Sequence, residues 1–104
     1  MHAYHWFEGH IFATGARQDP ADLMSHKYEI ELDCFTRIYD AKEFCDKYSG
    51  LPNIKVIQQT SYNKTLYYVR IGKYNRWLEA KKYLTELNSS FPELQGSIVM
   101  RLAK

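Results

Sequence analysis

The chain carries the stretch YEIELDCFTRIYDAKEFCDKY at residues 28–48, and a similar stretch, YYVRIGKYNRWLEAKKYLTEL, returns at residues 67–87. The two stretches align without a gap, so that Tyr28 opens the first and Tyr67 opens the second. Few residues are identical, but apolar, polar and aromatic positions agree along both. Self-similarity at a fixed offset indicates repeated supersecondary units. The sequence therefore predicts two copies of one β-α-β unit.

Each copy is expected to open with a strand and to continue as a helix. Tyr28, Ile30 and Leu32 alternate with acidic residues, which is the period-two pattern of a half-buried strand. Ala41 and Cys45 then fall on one face of a predicted helix, where Cys45 is expected to be a buried thiol. The predicted apolar stripes are Ile38, Ala41, Cys45 and Tyr48 in the first helix, and Trp77, Ala80, Leu84 and Leu87 in the second.

Both predicted helices have a start signal and a stop signal. Thr36 and Asn75 are residue types that cap helix N-termini. The breakers are SGLPN at residues 49–53 and NSSFP at residues 88–92. A second strand follows each breaker, and the link between the copies has hairpin composition. These three segments are residues 54–60, residues 97–102 and, for the hairpin, residues 61–64.

The resulting order, β-α-β-β-α-β, predicts an α+β fold of the ferredoxin-like, or RNP-like, arrangement. Because each β-α-β crossover is right-handed, both helices must cover one face of a four-stranded antiparallel sheet. The expected strand order within the repeat is 4-1-3-2. Strands 28–33 and 67–72 then lie side by side in the centre.

The sheet face opposite the helices is left open and is the predicted binding surface. Tyr68 offers a flat aromatic platform there, and the head of Arg70 is expected to be solvated. Val99 is placed on the same face, at the outer strand. The candidate ligand-binding residues are Glu29, Glu31, Lys55, Ile57, Gln59, Tyr68, Arg70 and Arg101.

Length and charge limit the function classes. The 104 residues fit one domain, with residues 26–104 as the folded unit and residues 1–25 as a natural arm, a linker or an expression-derived remnant. Residues 5–12 form a candidate extra strand. A net charge of +2 and a sequence pI near 8.5 are too mild to indicate nucleic-acid binding. The chain has neither a membrane-spanning apolar run nor a signal-peptide pattern, so no membrane insertion is expected.

Residues typical of catalysis do not form a convincing set. His2, His5 and His10 match no closed metal-ligand spacing, so neither a metal nor another cofactor is expected. Gly72 stands alone, without the further glycines of a phosphate-binding loop. A Cys34–Cys45 disulfide is disfavoured because the two thiols belong to different predicted environments. The chain is therefore interpreted as a binding module and not as an enzyme.

A family resemblance rests on the second copy. The segment YYVRIGKYN at residues 67–75, followed by EAKKYL at residues 79–84, resembles the second half of a SPOR domain. FPE at residues 91–93 is similar to the last turn of that family. The resemblance covers residues 26–102.

SPOR domains have the ferredoxin-like fold and bind peptidoglycan through the open sheet face, favouring glycan strands stripped of stem peptides at the division site. The resemblance therefore implies a peptidoglycan-binding module of the bacterial cell envelope or periplasm. Arg70 and Gly72 keep the family pattern in the second copy. In the first copy, Glu31, Asp33 and Cys34 replace the family's Gln, Gly and Ser.

Two other functions remain open on the sequence alone. One is a protein–protein adaptor that uses a sheet edge or the N-terminal arm. The other, less favoured, is an RNA-recognition domain in which Tyr68 stacks a base. Acidic Glu29, Glu31 and Asp33 on the first strand argue against RNA, because they repel phosphate.

Overall fold

The computed structural model describes residues 5–8, 11–12 and 26–102. These residues form an α+β fold in which one sheet carries two helices. In chain order the elements are β1 (His5–Glu8), β2 (Ile11–Phe12), β3 (Tyr28–Phe35), α1 (Ile38–Lys47), β4 (Lys55–Ser61), β5 (Lys64–Tyr74), α2 (Trp77–Ser90), a 3-10 turn (Pro92–Leu94) and β6 (Ile98–Arg101).

The four strands of the repeat pair antiparallel and lie in the order β6-β3-β5-β4. The predicted central pairing of the two motif strands, β3 and β5, is confirmed. The sheet is larger than the four strands expected, because β1 adds to β4 in parallel and β2 adds to β1. Two strands from the predicted N-terminal arm therefore belong to the same sheet.

A single apolar core lies between the sheet and the two helices. Ile30 and Ile71, from the central strands, are fully buried against Ala41 of α1 and Ala80 of α2. Residues of both helices belong to the same apolar cluster as the inward-facing alternate residues of the strands. The two helices therefore pack on the same face of the sheet. Cys45 is a free, buried thiol as predicted, and burial raises its pKa to about 12.

The helices begin one residue later than their cap signals predict. Arg37 and Arg76 occupy the N-cap positions with extended backbone and without a side-chain cap, so the assignments of Thr36 and Asn75 are wrong. Each arginine carbonyl accepts the first helical hydrogen bond. Trp77 becomes the first residue of α2 and remains 47% exposed, which removes it from the predicted apolar stripe.

The pairing of β3 with β5 contains two register shifts. On β3 the shift falls between Glu31 and Asp33, and it brings Cys34 opposite Tyr68. The predicted strand ended at Asp33, whereas β3 continues to Phe35. Since directly opposite residues of an antiparallel pair share a face, this shift reverses the inward and outward alternation along the end of β3.

The second shift lies on β5 at Gly72, whose φ is +82°. The Gly72 N–H donates to the carbonyl of Pro52 at 2.8 Å, which ties β5 to the loop after α1. A Cβ at this position would overlap the ring of Tyr74. Glycine is therefore required here by both conformation and space.

We expect Ala41→Leu or Ala80→Leu to lower the free energy of unfolding by about 1–3 kcal/mol, because each alanine is fully buried between helix and sheet. Urea denaturation measures the change. Lys82→Leu introduces the same side chain at an exposed position of α2 and is the control. Equal midpoints for all three variants would contradict the packing described above.

Gly72→Ala should destabilise the protein by about 1–3 kcal/mol, because alanine disfavours a left-handed backbone and its Cβ meets the Tyr74 ring. Gly50→Ala is the matched control, since a Cβ added there meets no atom within 4 Å. Thermal melts of the two variants compare them directly. If Gly72→Ala and Gly50→Ala have the same melting temperature, the second register shift does not depend on glycine.

Candidate functional site

A tight hairpin aligns the open-face residues of β4 and β5. Tyr62 and Asn63 connect the strands, with φ values of 50° and 64°. Two successive positive φ values are the signature of a type I′ turn, whose twist matches that of the flanking strands. The predicted hairpin is therefore confirmed, and its register sets the face. The open-face pairs are Lys55 with Arg70, Ile57 with Tyr68, and Gln59 with Leu66.

The outer strand β6 presents different residues from those predicted. Its register places Ile98 opposite Glu31, on the open face. Val99 pairs instead with the core residue Ile30, so its placement on the open face is wrong. Because residues 98–100 are all apolar, the sequence has no alternation that distinguishes the two faces.

Arg101 also lies away from the predicted site, because the apolar residues of β6 give no alternation that assigns its faces. It pairs with Tyr28, which packs against the core on the helix side. Its guanidinium donates to the Tyr28 hydroxyl at 2.8 Å and lies 5.5 Å from the ring centroid. The structure therefore does not bring Arg101 together with the other candidate ligand-binding residues.

One half of the open face is filled by a charged cluster, defined as His26, Glu29, Glu31, Lys55 and Arg70. Glu29 Oε2 accepts a hydrogen bond from Lys55 Nζ and lies 2.7 Å from His26 Nε2. An Arg70 guanidinium nitrogen lies 3.8 Å from Glu29 Oε1. Arg70 Nε donates to Glu31 Oε1 at 3.2 Å. The residues of the cluster thus bind one another.

Burial makes this charged cluster structural. Glu29 is 3% exposed and Lys55 is 4% exposed. Burial lowers the pKa of Lys55, and the neighbouring Glu29 carboxylate opposes that shift. The side chain of Arg70 is 15% exposed, so the expectation of a solvated head is wrong. A buried charge that loses its partner is costly, so these side chains hold one another in place. Among the described residues, His26 Nδ1 and Glu29 Oε1 are buried in the cluster without a hydrogen-bond partner.

Sequence reasoning missed His26, which is buried and contacts Glu29 three residues later. It precedes a predicted strand and belongs to neither periodic pattern. No sequence signal marks it, because its role arises from the sheet that brings Lys55 beside the same carboxylate.

The other half of the open face carries a groove beside the hairpin. Tyr68 forms its inner wall and is only partly buried, while Tyr62 is fully exposed at the turn. The groove has a volume of about 430 Å³. We call it the hairpin groove, and its lining residues are Gln59, Ser61, Tyr62, Lys64, Leu66 and Tyr68.

The Tyr68 ring lies beside Arg70 of its own strand, and Tyr68 lies opposite Cys34 of β3. The Arg70 guanidinium carbon lies 5.8 Å from the ring centroid. Burial, then the charges of Cys34 and Glu31, raise the pKa of Tyr68. The phenol therefore stays protonated at neutral pH, and the ring is a preorganised apolar surface with a polar tip.

Within the described part of the chain, no group of three or more His, Cys, Asp or Glu side chains is arranged to hold a metal ion. The side chains of His2, His5 and His10 lie outside the described residues. None of the described helices is long and apolar enough to cross a membrane.

Comparison with known proteins identifies no relative of this chain. No protein-family model, curated protein or solved structure matches it.

Lys55→Met should destabilise the protein by about 3–5 kcal/mol, because Glu29 would keep its buried charge without the ammonium that bonds it. The double variant Glu29→Gln/Lys55→Met should lose less than the sum of the two single variants, since they share one interaction. Urea denaturation gives the coupling energy. Lys82→Met, at an exposed helix position, is the control. Strict additivity would show that the pair is not coupled.

Proposed function

We propose that this chain is a non-catalytic binding module that holds a glycan strand, of the peptidoglycan type, in the hairpin groove. The observation that carries the proposal is the partly exposed Tyr68 ring, which lies beside Arg70 at the wall of a groove otherwise lined by Gln59, Ser61, Tyr62, Lys64 and Leu66. The likeness of residues 26–102 to SPOR domains supports the same ligand class.

The chemistry of the hairpin groove suits a sugar polymer. A pyranose ring has an apolar face that packs on an aromatic ring, and its hydroxyls need both donors and acceptors. The Gln59 side chain supplies both, Ser61 does the same, and Lys64 supplies donors only. Leu66 and Tyr68 supply the apolar contact.

The charged cluster argues for a ligand position shifted towards the turn. Glu31, which replaces the family's strand-one glutamine, is engaged by Arg70 at 3.2 Å. Glu29 and Lys55 are buried in the same cluster. We therefore assign the ligand contacts to Tyr68, Gln59 and the hairpin. The cell-envelope location remains part of this proposal.

We also infer that the repeat has the ferredoxin-like arrangement. The strand order β6-β3-β5-β4, with both helices on one face, supports a ferredoxin-like unit extended by β1 and β2.

A protein partner is the second candidate, because apolar side chains are exposed at matched positions of the two copies. Tyr39 in α1 and Leu78 in α2 are each 72% exposed. These residues lie on the helices, away from the hairpin groove, so variants separate the two functions.

Tyr68→Ala should weaken binding to purified peptidoglycan sacculi by about 1–3 kcal/mol, the range seen when a stacking aromatic is removed from a base-binding site. This corresponds to roughly 5–150-fold in Kd. Gln59→Ala should weaken binding less. A co-sedimentation isotherm measures both variants.

Lys82→Ala, on the exposed surface of α2, is the control and should bind as the unaltered protein does. A flat isotherm for the unaltered protein would refute the ligand, and binding that Tyr39→Ala or Leu78→Ala abolishes would favour the helix surface. The supernatants should contain no released sugar fragments if the module is non-catalytic. Arg70→Ala is not a clean test, because it disrupts the charged cluster.

A further inference from the structure

The edge of the sheet is incomplete beside β3. The register of β6 against β3 ends where Ile98 meets Glu31, but β3 continues to Phe35. On that side, the described residues supply no strand next to residues 32–35. Backbone groups at such an edge can pair with an added strand.

A second groove lies at this place, between β3, the end of α1 and the turn that leads to β6. Its volume is about 500 Å³. Phe44, Leu94 and Ile98 supply apolar walls, and Gly96 lies at the rim. We call it the edge groove. It shares no lining residue with the hairpin groove.

The charge of the edge groove is negative. Asp33 and Glu93 line it with two carboxylates outside the charged cluster, against the ammonium of Lys47, while Glu31 also lines it but is engaged by Arg70. The Tyr48 hydroxyl donates to Glu93 Oε2 at 2.8 Å and holds that carboxylate at the wall. Two hydrogen bonds lower the pKa of Glu93, first the one from its own backbone and then the one from Tyr48. The Glu93 carboxylate is therefore ionised at neutral pH. A cationic side chain is the complement of this lining.

The exposed end of β3 is also suited to a cationic side chain. Asp33 is exposed, and its Oδ1 accepts the Cys34 N–H at 2.7 Å, which holds the carboxylate at the strand edge. Two copies of the chain that paired through this edge would bring like charges together, which disfavours self-association. A separate chain with basic residues meets no such repulsion.

We propose that the edge groove binds an extended peptide segment with basic side chains, which adds to β3 in line with β6. Main-chain pairing with groups of residues 32–35 other than the Cys34 N–H, which donates to Asp33, supplies part of the affinity. Apolar side chains of the peptide pack on Phe44, Leu94 and Ile98, and a lysine or arginine meets Asp33 and Glu93. This is recognition by strand addition at a free sheet edge, with side-chain pockets giving specificity.

The test uses two synthetic pentapeptides with blocked ends, one alternating valine with lysine and the other alternating valine with glutamate. Fluorescence anisotropy with labelled peptides measures both affinities. We expect the lysine peptide to bind at least about tenfold more tightly, a difference of about 1.4 kcal/mol. Equal affinities, or no binding of the lysine peptide at millimolar concentration, would overturn the proposal.

Two glycine variants locate the binding. Gly96→Phe places a bulky ring at the rim of the edge groove, where an added Cβ meets no atom within 4 Å, and it should weaken binding of the lysine peptide. Gly50→Phe has the same open surroundings, does not line the edge groove, and should leave the affinity unchanged. Undiminished binding by Gly96→Phe would overturn the proposal.

Charge and position can be checked in the same samples. Asp33→Asn should weaken the lysine peptide severalfold, because it removes one of the carboxylates without changing the size of the side chain. Backbone amide shifts on titration with the peptide should be largest at residues 32–35. Shifts centred on the hairpin groove would assign the peptide to the other site and overturn the proposal.

Discussion

The pairing of β3 with β5 is the constraint on which the rest of the structure depends. These strands are central, and each carries one register shift. Between the shifts, Ile30 and Ile71 point into the core while Glu31 and Arg70 meet on the opposite face. Any slip of one residue would exchange the faces and bury charge against the helices. The core and the open face are thus set by the same alignment.

The open face is divided into a closed half and an accessible half. Glu29 and Lys55 are buried in ion pairs, which specify how β3, β4 and β5 meet. Beyond Tyr68 the hairpin keeps polar groups exposed. Placing a rigid charged cluster beside an aromatic groove preorganises the Tyr68 ring, because Arg70 belongs to the cluster and also lies over that ring. Preorganised surfaces lose less freedom when a ligand binds.

Much of the local structure could be predicted because it is encoded in local periodicity. Alternating residues marked β3, and the small residues Ala41 and Ala80 marked where the helices approach the sheet. Predictions were wrong where no local pattern existed. Trp77 has the spacing of a core residue, but it starts its helix and stays exposed. Arg101 lies on a short strand whose apolar residues fit either face.

By itself, the sequence determined the repeat, the order of its strands and helices, and most of the residues that form the core. These properties follow from patterns within about twenty residues, where helix and strand periods differ clearly. Only the tertiary structure decided which charged residues are available to a ligand. Glu29, Lys55 and His26 are separated along the chain, and their mutual pairing exists only once three strands and the segment before β3 meet. The same holds for the edge groove, because it depends on where β6 stops along β3. Pairing between distant segments sets both features, and no short stretch of sequence contains it.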